Sequence, residues 1–112
     1  MRFMMIMIPG EHPDVRPESD EVGPMSKYND EMTKAGVMLA GVGLRPASHG
    51  ARVRYTGGTP TVTDGPFAEA KELIGGYWIL QTSSKEEAVE WAKRVPAGEH
   101  DLVELREIED MV

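Results

Sequence analysis

The stretch Arg2-Phe3-Met4-Met5-Ile6-Met7-Ile8, closed by Pro9-Gly10, decides the fold. Its length and the turn pair behind it favour a strand over a helix. Side chains alternate across a strand, so Phe3, Met5 and Met7 face one side and Met4, Ile6 and Ile8 the other. Both faces are apolar. A single layer of helices would leave one of them in water, so something else has to cover it. Ile74 to Thr82 repeats the pattern, with Tyr77, Trp78, Ile79 and Leu80 apolar on both faces, and reads as a second central strand.

Around these two strands the rest falls into place by period. Val22, Met25, Tyr28, Met32 and Ala35 recur at helical spacing with Lys27, Asn29, Asp30, Glu31 and Lys34 between them, and Gly36 supplies the stop. Such a Met and Tyr stripe is the core side of a helix rather than a cofactor face. Ser84 with Glu87 forms a capping box, and Ala88, Trp91, Ala92 and Val95 make the inward stripe of a second helix ending at Pro96. Val37 to Leu44 alternates as a strand, with Met38, Ala40, Val42 and Leu44 on one face and Val37, Leu39, Gly41 and Gly43 on the other. Two glycines on one face mark a bulge or a small pocket. Leu102 to Ile108 is the last strand.

Strand, helix, strand, hairpin pair, strand, helix, strand is an α+β order, a ferredoxin-like βαββαβ sandwich with an extra β-hairpin. Both helices would cover one sheet face. The economical cover for the other is a second copy, which predicts a homodimer of the dimeric α/β-barrel type.

Composition bounds the function. At 112 residues, with no linker, repeat or low-complexity tract, residues 1–112 are expected to form one domain. A net charge of -7 argues against direct nucleic-acid binding, which needs clustered Lys and Arg. No apolar run approaches the roughly 20 residues that span a bilayer, and Phe3 to Ile8 is too short for a signal-peptide core, so a cytoplasmic protein that does not engage membranes is expected. The chain has no Cys, which removes disulfides, thiol nucleophiles and thiolate metal sites. Its three His, His12, His49 and His100, stand in no metal-binding spacing, so neither a metal nor a cofactor is expected.

The crowded stretch is Asp64-Gly65-Pro66-Phe67, with Ala68-Glu69-Ala70-Lys71-Glu72 behind it. It follows a hairpin whose Gly57-Gly58 pair suits a type I′ turn. With those two as the loop, Thr56 faces Thr59, Arg54 faces Thr61, Val53 faces Val62, Arg52 faces Thr63 and Ala51 faces Asp64. Arg52, Arg54, Thr61 and Thr63 then share a polar face. Val53, Tyr55 and Val62 share the apolar one, with Asp64 at its end. A carboxylate there is expected to be partly desolvated and becomes a candidate acid or base. The same parity carried back places His49 as a diagonal neighbour of Asp64. The plainer readings are an Asp64 that caps a turn and a His49 that merely ends one. His12, just beyond the first strand, is a second candidate histidine or an ordinary loop residue. Pro66 fixes its own φ and restrains Gly65, giving a rigid elbow that Phe67 anchors.

Phe3 to Ile8, Gly41-Val42-Gly43-Leu44-Arg45-Pro46, Val53-Arg54, Thr63-Asp64-Gly65-Pro66-Phe67-Ala68-Glu69-Ala70-Lys71-Glu72, Gly75-Gly76-Tyr77 and Ala88-Val89-Glu90-Trp91-Ala92 resemble the YCII-related family, in its DGPF-domain branch. The resemblance runs nearly end to end, and the long central run is its specific part. It implies a ferredoxin-like fold paired as a dimeric α/β barrel. In the wider group a His and Asp pair in a cleft is taken as the active site, and Asp64 fits the Asp. The group's His stands in its own local motif, which neither His12 nor His49 matches. The DGPF branch is also associated with extracytoplasmic-function sigma factors, which implies a regulatory partner role.

Two functions are therefore in play. One is a cofactor-independent enzyme acting on a small molecule, with Asp64 as acid or base, His49 or His12 assisting, Arg52, Arg54 or Lys71 holding an anionic group, and Gly65, Pro66 and Phe67 shaping the pocket. The other is a non-catalytic dimer that binds a small ligand or a protein such as a sigma factor.

Overall fold

The structure is a computed structural model that describes residues 1–10, 19–65 and 74–110. Its elements run β1 (Arg2–Ile8), α1 (Ser19–Lys34), β2 (Met38–Gly43), β3 (Ala51–Thr56), β4 (Thr59–Asp64), β5 (Gly76–Gln81), α2 (Lys85–Lys93) and β6 (Leu102–Glu107), with one 3₁₀ turn at Ala47–His49. Four strands make an antiparallel sheet in the order β2-β5-β1-β6, while β3 and β4 pair only with each other. Each helix joins two parallel strands that flank a third, the split βαβ arrangement of ferredoxin-like folds. The expected α+β plan with an inserted hairpin is thus present.

The core lies between the helices and one sheet face. Met5, Tyr28, Met32, Val37, Trp78, Leu80 and Val95 are buried together, with Met7, Met25, Met38, Trp91, Val103 and Leu105 packed around them. Tyr28 stands edge-on to both Trp78 and Trp91, at centroid separations of 6.1 and 6.3 Å. Trp78 Nε1 donates to Asn29 Oδ1 at 2.9 Å, and the Tyr28 hydroxyl donates to the Trp91 carbonyl at 2.7 Å, so the polar atoms of these rings are satisfied. Ala35, expected on the inward stripe, is exposed just past the end of α1 at Lys34, and the turn that follows is closed by Gly36, whose φ is +73°.

The capping box at α2 forms in a shifted version. The Glu87 N–H donates to Ser84 Oγ at 3.1 Å, but the Glu87 carboxylate reaches back to the N–H and hydroxyl of Ser83. Those two bonds hold the Glu87 carboxyl below its usual pKa.

On the other sheet face stand Ala40 and Val42 of β2, Tyr77 and Ile79 of β5, Met4, Ile6 and Ile8 of β1, and Leu102 of β6, aligned by register. No described helix packs there. Met4, Ile6, Tyr77 and Ile79 are half-buried among themselves, and Val42 and Leu102 are exposed.

The expected parity of β2 needs correction. Met38 pairs with Leu80 but Ala40 pairs with Ile79, so Leu39 is the extra residue of a bulge. Beyond it Gly41 and Gly43 lie on the helix side with Met38, opposite Trp78 and Gly76. A Cβ at Gly41 would sit 3.2 Å from both the Met38 sulfur and Trp78 Cδ1, so the space Gly41 leaves is taken by the indole, whereas a Cβ at Gly43 would have nothing within 4 Å.

Candidate functional site

The β3–β4 hairpin has the register expected of it. Thr56↔Thr59, Arg54↔Thr61, Val53↔Val62, Arg52↔Thr63 and Ala51↔Asp64 all pair, and Gly57 and Gly58 have φ of +65° and +81°, as a type I′ turn requires. Val53, Tyr55, Val62 and Asp64 therefore share one face, and Arg52, Arg54, Thr61 and Thr63 the other. All these residues are exposed, Tyr55 at 80%.

The expectation of a desolvated Asp64 fails in the single chain. The apolar face that was to shield the carboxylate is itself uncovered, so Asp64 is exposed with it.

His49 also stands differently from the parity expected. It ends the 3₁₀ turn rather than extending β3, with its N–H bonded to the Pro46 carbonyl at 2.9 Å. No hydrogen bond or ion pair joins it to Asp64. The two are nevertheless brought close through the backbone. Gly65 donates to the Gly50 carbonyl at 3.0 Å, and a Cβ on Gly65 would collide with the Ala47 carbonyl oxygen. Gly65 is thus a point of close backbone approach, wedging the residue after Asp64 against the turn that carries His49.

Arg52 and Arg54 lie on the face opposite Asp64, so one hairpin does not gather carboxylate and cations on a single surface. His12, Pro66, Phe67 and Lys71 lie outside the described residues.

The two described residues flanking residues 11–18 and 66–73 on the sheet side, Gly10 and Ile74, stand at one end of the sheet. Gly75 donates to the Met7 carbonyl at 2.8 Å and Leu44 to the Gly75 carbonyl at 3.0 Å, which ties the ends of β1 and β2 to the start of β5. At the same end Asp101, which sequence reasoning passed over, accepts the N–H of Gly10 at 3.0 Å and that of Gly98 at 2.7 Å. Beside it His100 has a φ of +72° and its carbonyl leaves no room for a Cβ on Gly10. The only sequence signal for Asp101 was a turn-forming Asp just ahead of a strand. Its carboxylate, engaged by two backbone donors, holds a turn.

Among the described residues no three His, Asp or Glu side chains converge to hold a metal ion. No described helix is long and apolar enough to cross a membrane.

The comparison with known proteins bears on the whole chain. An uncharacterized protein of Rhizobium meliloti (strain 1021) is 32% identical over 69 residues, 62% of this chain. The match spans 56% of that relative's own length. Over residues 1–112 the sequence matches the YCII-related domain, and the chain belongs to the YCII-related family.

Proposed function

We propose that this protein, of the DGPF branch of its family, is a cytoplasmic homodimer of the dimeric α/β-barrel type in which Asp64 transfers a proton to or from a small molecule without a cofactor. The observation that supports this reading is the wedge at Gly65, which fixes the carboxylate-bearing end of β4 against the Ala47–His49 turn. A proton-transfer group needs a fixed position within hydrogen-bond reach of its substrate, and a backbone clamped on both sides supplies it. In this reading His49 or His12 assists, Gly65, Pro66 and Phe67 shape the cavity, and Arg52, Arg54 or Lys71 holds an anionic group. The open apolar sheet face supports the pairing of two copies.

Screening a metabolite library with the wild type and Asp64→Asn tests the chemistry. The expected result is a compound turned over by the wild type and slowed on the order of 100-fold in the variant. If no compound separates the two proteins, the catalytic reading falls.

The exposure of Asp64 and the lack of a bond to His49 favour a second reading, a dimer that binds a small ligand or a protein and performs no chemistry. Affinity capture from the native cytosol tests it, with a stoichiometric partner such as an extracytoplasmic-function sigma factor as the supporting result. A turned-over metabolite with no partner captured removes it.

A further inference from the structure

Asp64-Gly65 carries a chemistry of its own, apart from any proton transfer. In an Asp-Gly pair the glycine nitrogen, with no side chain beside it to hinder approach, can attack the aspartate Cγ. The N–Cγ bond forms, the Cγ–OH bond breaks, and the hydroxyl leaves with the N–H proton as water, giving a cyclic imide. Water then opens the imide at either carbonyl. Addition at Cγ restores the aspartate. Addition at the main-chain carbonyl breaks its bond to the glycine nitrogen and leaves the chain running through Cβ and Cγ, which is isoaspartate. No oxidant or second reactant enters beyond the water lost and regained.

The foot of the β3–β4 hairpin opposes this ring closure at each step. The attacking nitrogen is occupied, since the Gly65 N–H donates to the Gly50 carbonyl at 3.0 Å. Asp64 is the last residue of β4 and pairs with Ala51, and extended backbone turns the following nitrogen away from the side chain. The product does not fit the closed foot either. Isoaspartate adds a methylene to the backbone just ahead of Gly65, where even a Cβ on Gly65 would collide with the Ala47 carbonyl oxygen. What holds the gate is weak. The two strands pair with each other and with no strand of the main sheet, and an isolated two-stranded hairpin is at best marginally stable in water, so it opens locally more readily than the core. The Asp64 carboxyl is exposed and open to the water that the second step consumes.

We propose that Asp64-Gly65 is a site of isoaspartate formation gated by the hairpin foot. It is shut while the Gly65–Gly50 bond is made, reacts when the hairpin opens, and cannot close again once the extra methylene is in the backbone. The modification also moves the carboxylate from the end of its side chain onto Cα. The inference holds whether or not Asp64 transfers a proton.

Folded wild type, Gly57→Val and urea-unfolded wild type, aged side by side at neutral pH below the melting transition, test the gate. Isoaspartate at Asp64 is read by digestion, chromatography and electron-transfer fragmentation. Gly57 has a φ of +65° and nothing within 4 Å of where a Cβ would stand, so a β-branched residue there strains the turn and leaves the core alone. Isoaspartate is expected to accumulate about tenfold or more slowly in the folded wild type than in the unfolded chain, with Gly57→Val between them. Asp64→Asn keeps the test intact if Gly57→Val does not fold. Its side-chain amide closes the same ring with ammonia leaving, and the mass change on becoming an acid should again be slower in the folded protein than in urea. Hydrogen exchange on the aged wild type should find the hairpin amides unprotected in the isoaspartate fraction. A folded wild type that isomerises as fast as the unfolded chain, a folded Gly57→Val no faster than the wild type, or no isoaspartate at Asp64 in any sample overturns the proposal. Hairpin amides that stay protected after conversion overturn it too, because the foot would then have closed over the product.

Discussion

Gly65 donates its backbone N–H to the carbonyl of Gly50 at 3.0 Å, and this bond carries the β3–β4 ladder one step past the Ala51↔Asp64 pair. The step works because Gly65 has no side chain, since a Cβ would occupy the position of the Ala47 carbonyl oxygen. Gly65→Ala should push the foot of β4 off the 3₁₀ turn, at about 1–3 kcal/mol for overpacking against backbone. Gly50→Ala is the control. Its Cβ would meet the Ala47 oxygen only at 3.5 Å, and its φ of -121° is extended, so it should cost little. Thermal melts of the two variants distinguish them, and equal melting temperatures would count against the wedge.

Trp78 and Asn29 join β5 to α1 through a side-chain bond of 2.9 Å inside the packed cluster. Asn29→Ala leaves the indole N–H without its acceptor, an expected loss of about 1–2 kcal/mol. Asn29→Asp retains an acceptor oxygen and should lose less. At roughly 4 °C per kcal/mol for a domain of this size, the Ala variant should melt about 4–8 °C below the wild type. Intrinsic fluorescence should report the change at Trp78.

The hairpin shows what was legible in the sequence. Its register follows from two local facts, the positive φ of Gly57 and Gly58 and the period of two, and no distant contact intervenes to alter it. The β2 strand was harder because one extra residue at Leu39 exchanges its faces, although the glycine pair hinted at a bulge. His49 was misplaced because parity was carried through a segment that turns instead of extending. The exposure of Asp64 was not legible at all. Alternation tells which side of a strand is apolar, but what lies on that side is decided by tertiary or quaternary contacts.

Burial in the core lifts the Tyr28 hydroxyl from 10.0 to about 12, with the Arg94 guanidinium pulling slightly the other way. A raised pKa means that the folded state holds the proton more tightly than the unfolded chain does. The contribution is therefore fully present below pH 10 and is lost as pH rises towards about 12. Tyr28→Phe removes both this dependence and the 2.7 Å bond to the Trp91 carbonyl, at about 1 kcal/mol near neutral pH. The melting-temperature gap between wild type and variant should be constant up to about pH 10 and narrow above it. A gap that widens in alkali would contradict the assigned burial.

Ile6 sits at the middle of the open sheet face, opposite Tyr77 on one side and Glu104 on the other. If two copies close over this face, an Asp at position 6 would bury an unpaired carboxylate in the interface, and the complex would not tolerate it. In the single chain the same side chain points away from Met5 and the helix-covered core, so the fold should survive. Ile6→Asp is accordingly expected to sediment at 12.4 kDa while the wild type sediments at twice that mass, with the near-ultraviolet signature of Trp78 and Trp91 retained in both. A folded Ile6→Asp protein that remains a dimer would mean that the two copies meet through some other surface. The apolar residues of β1 would then need a different cover.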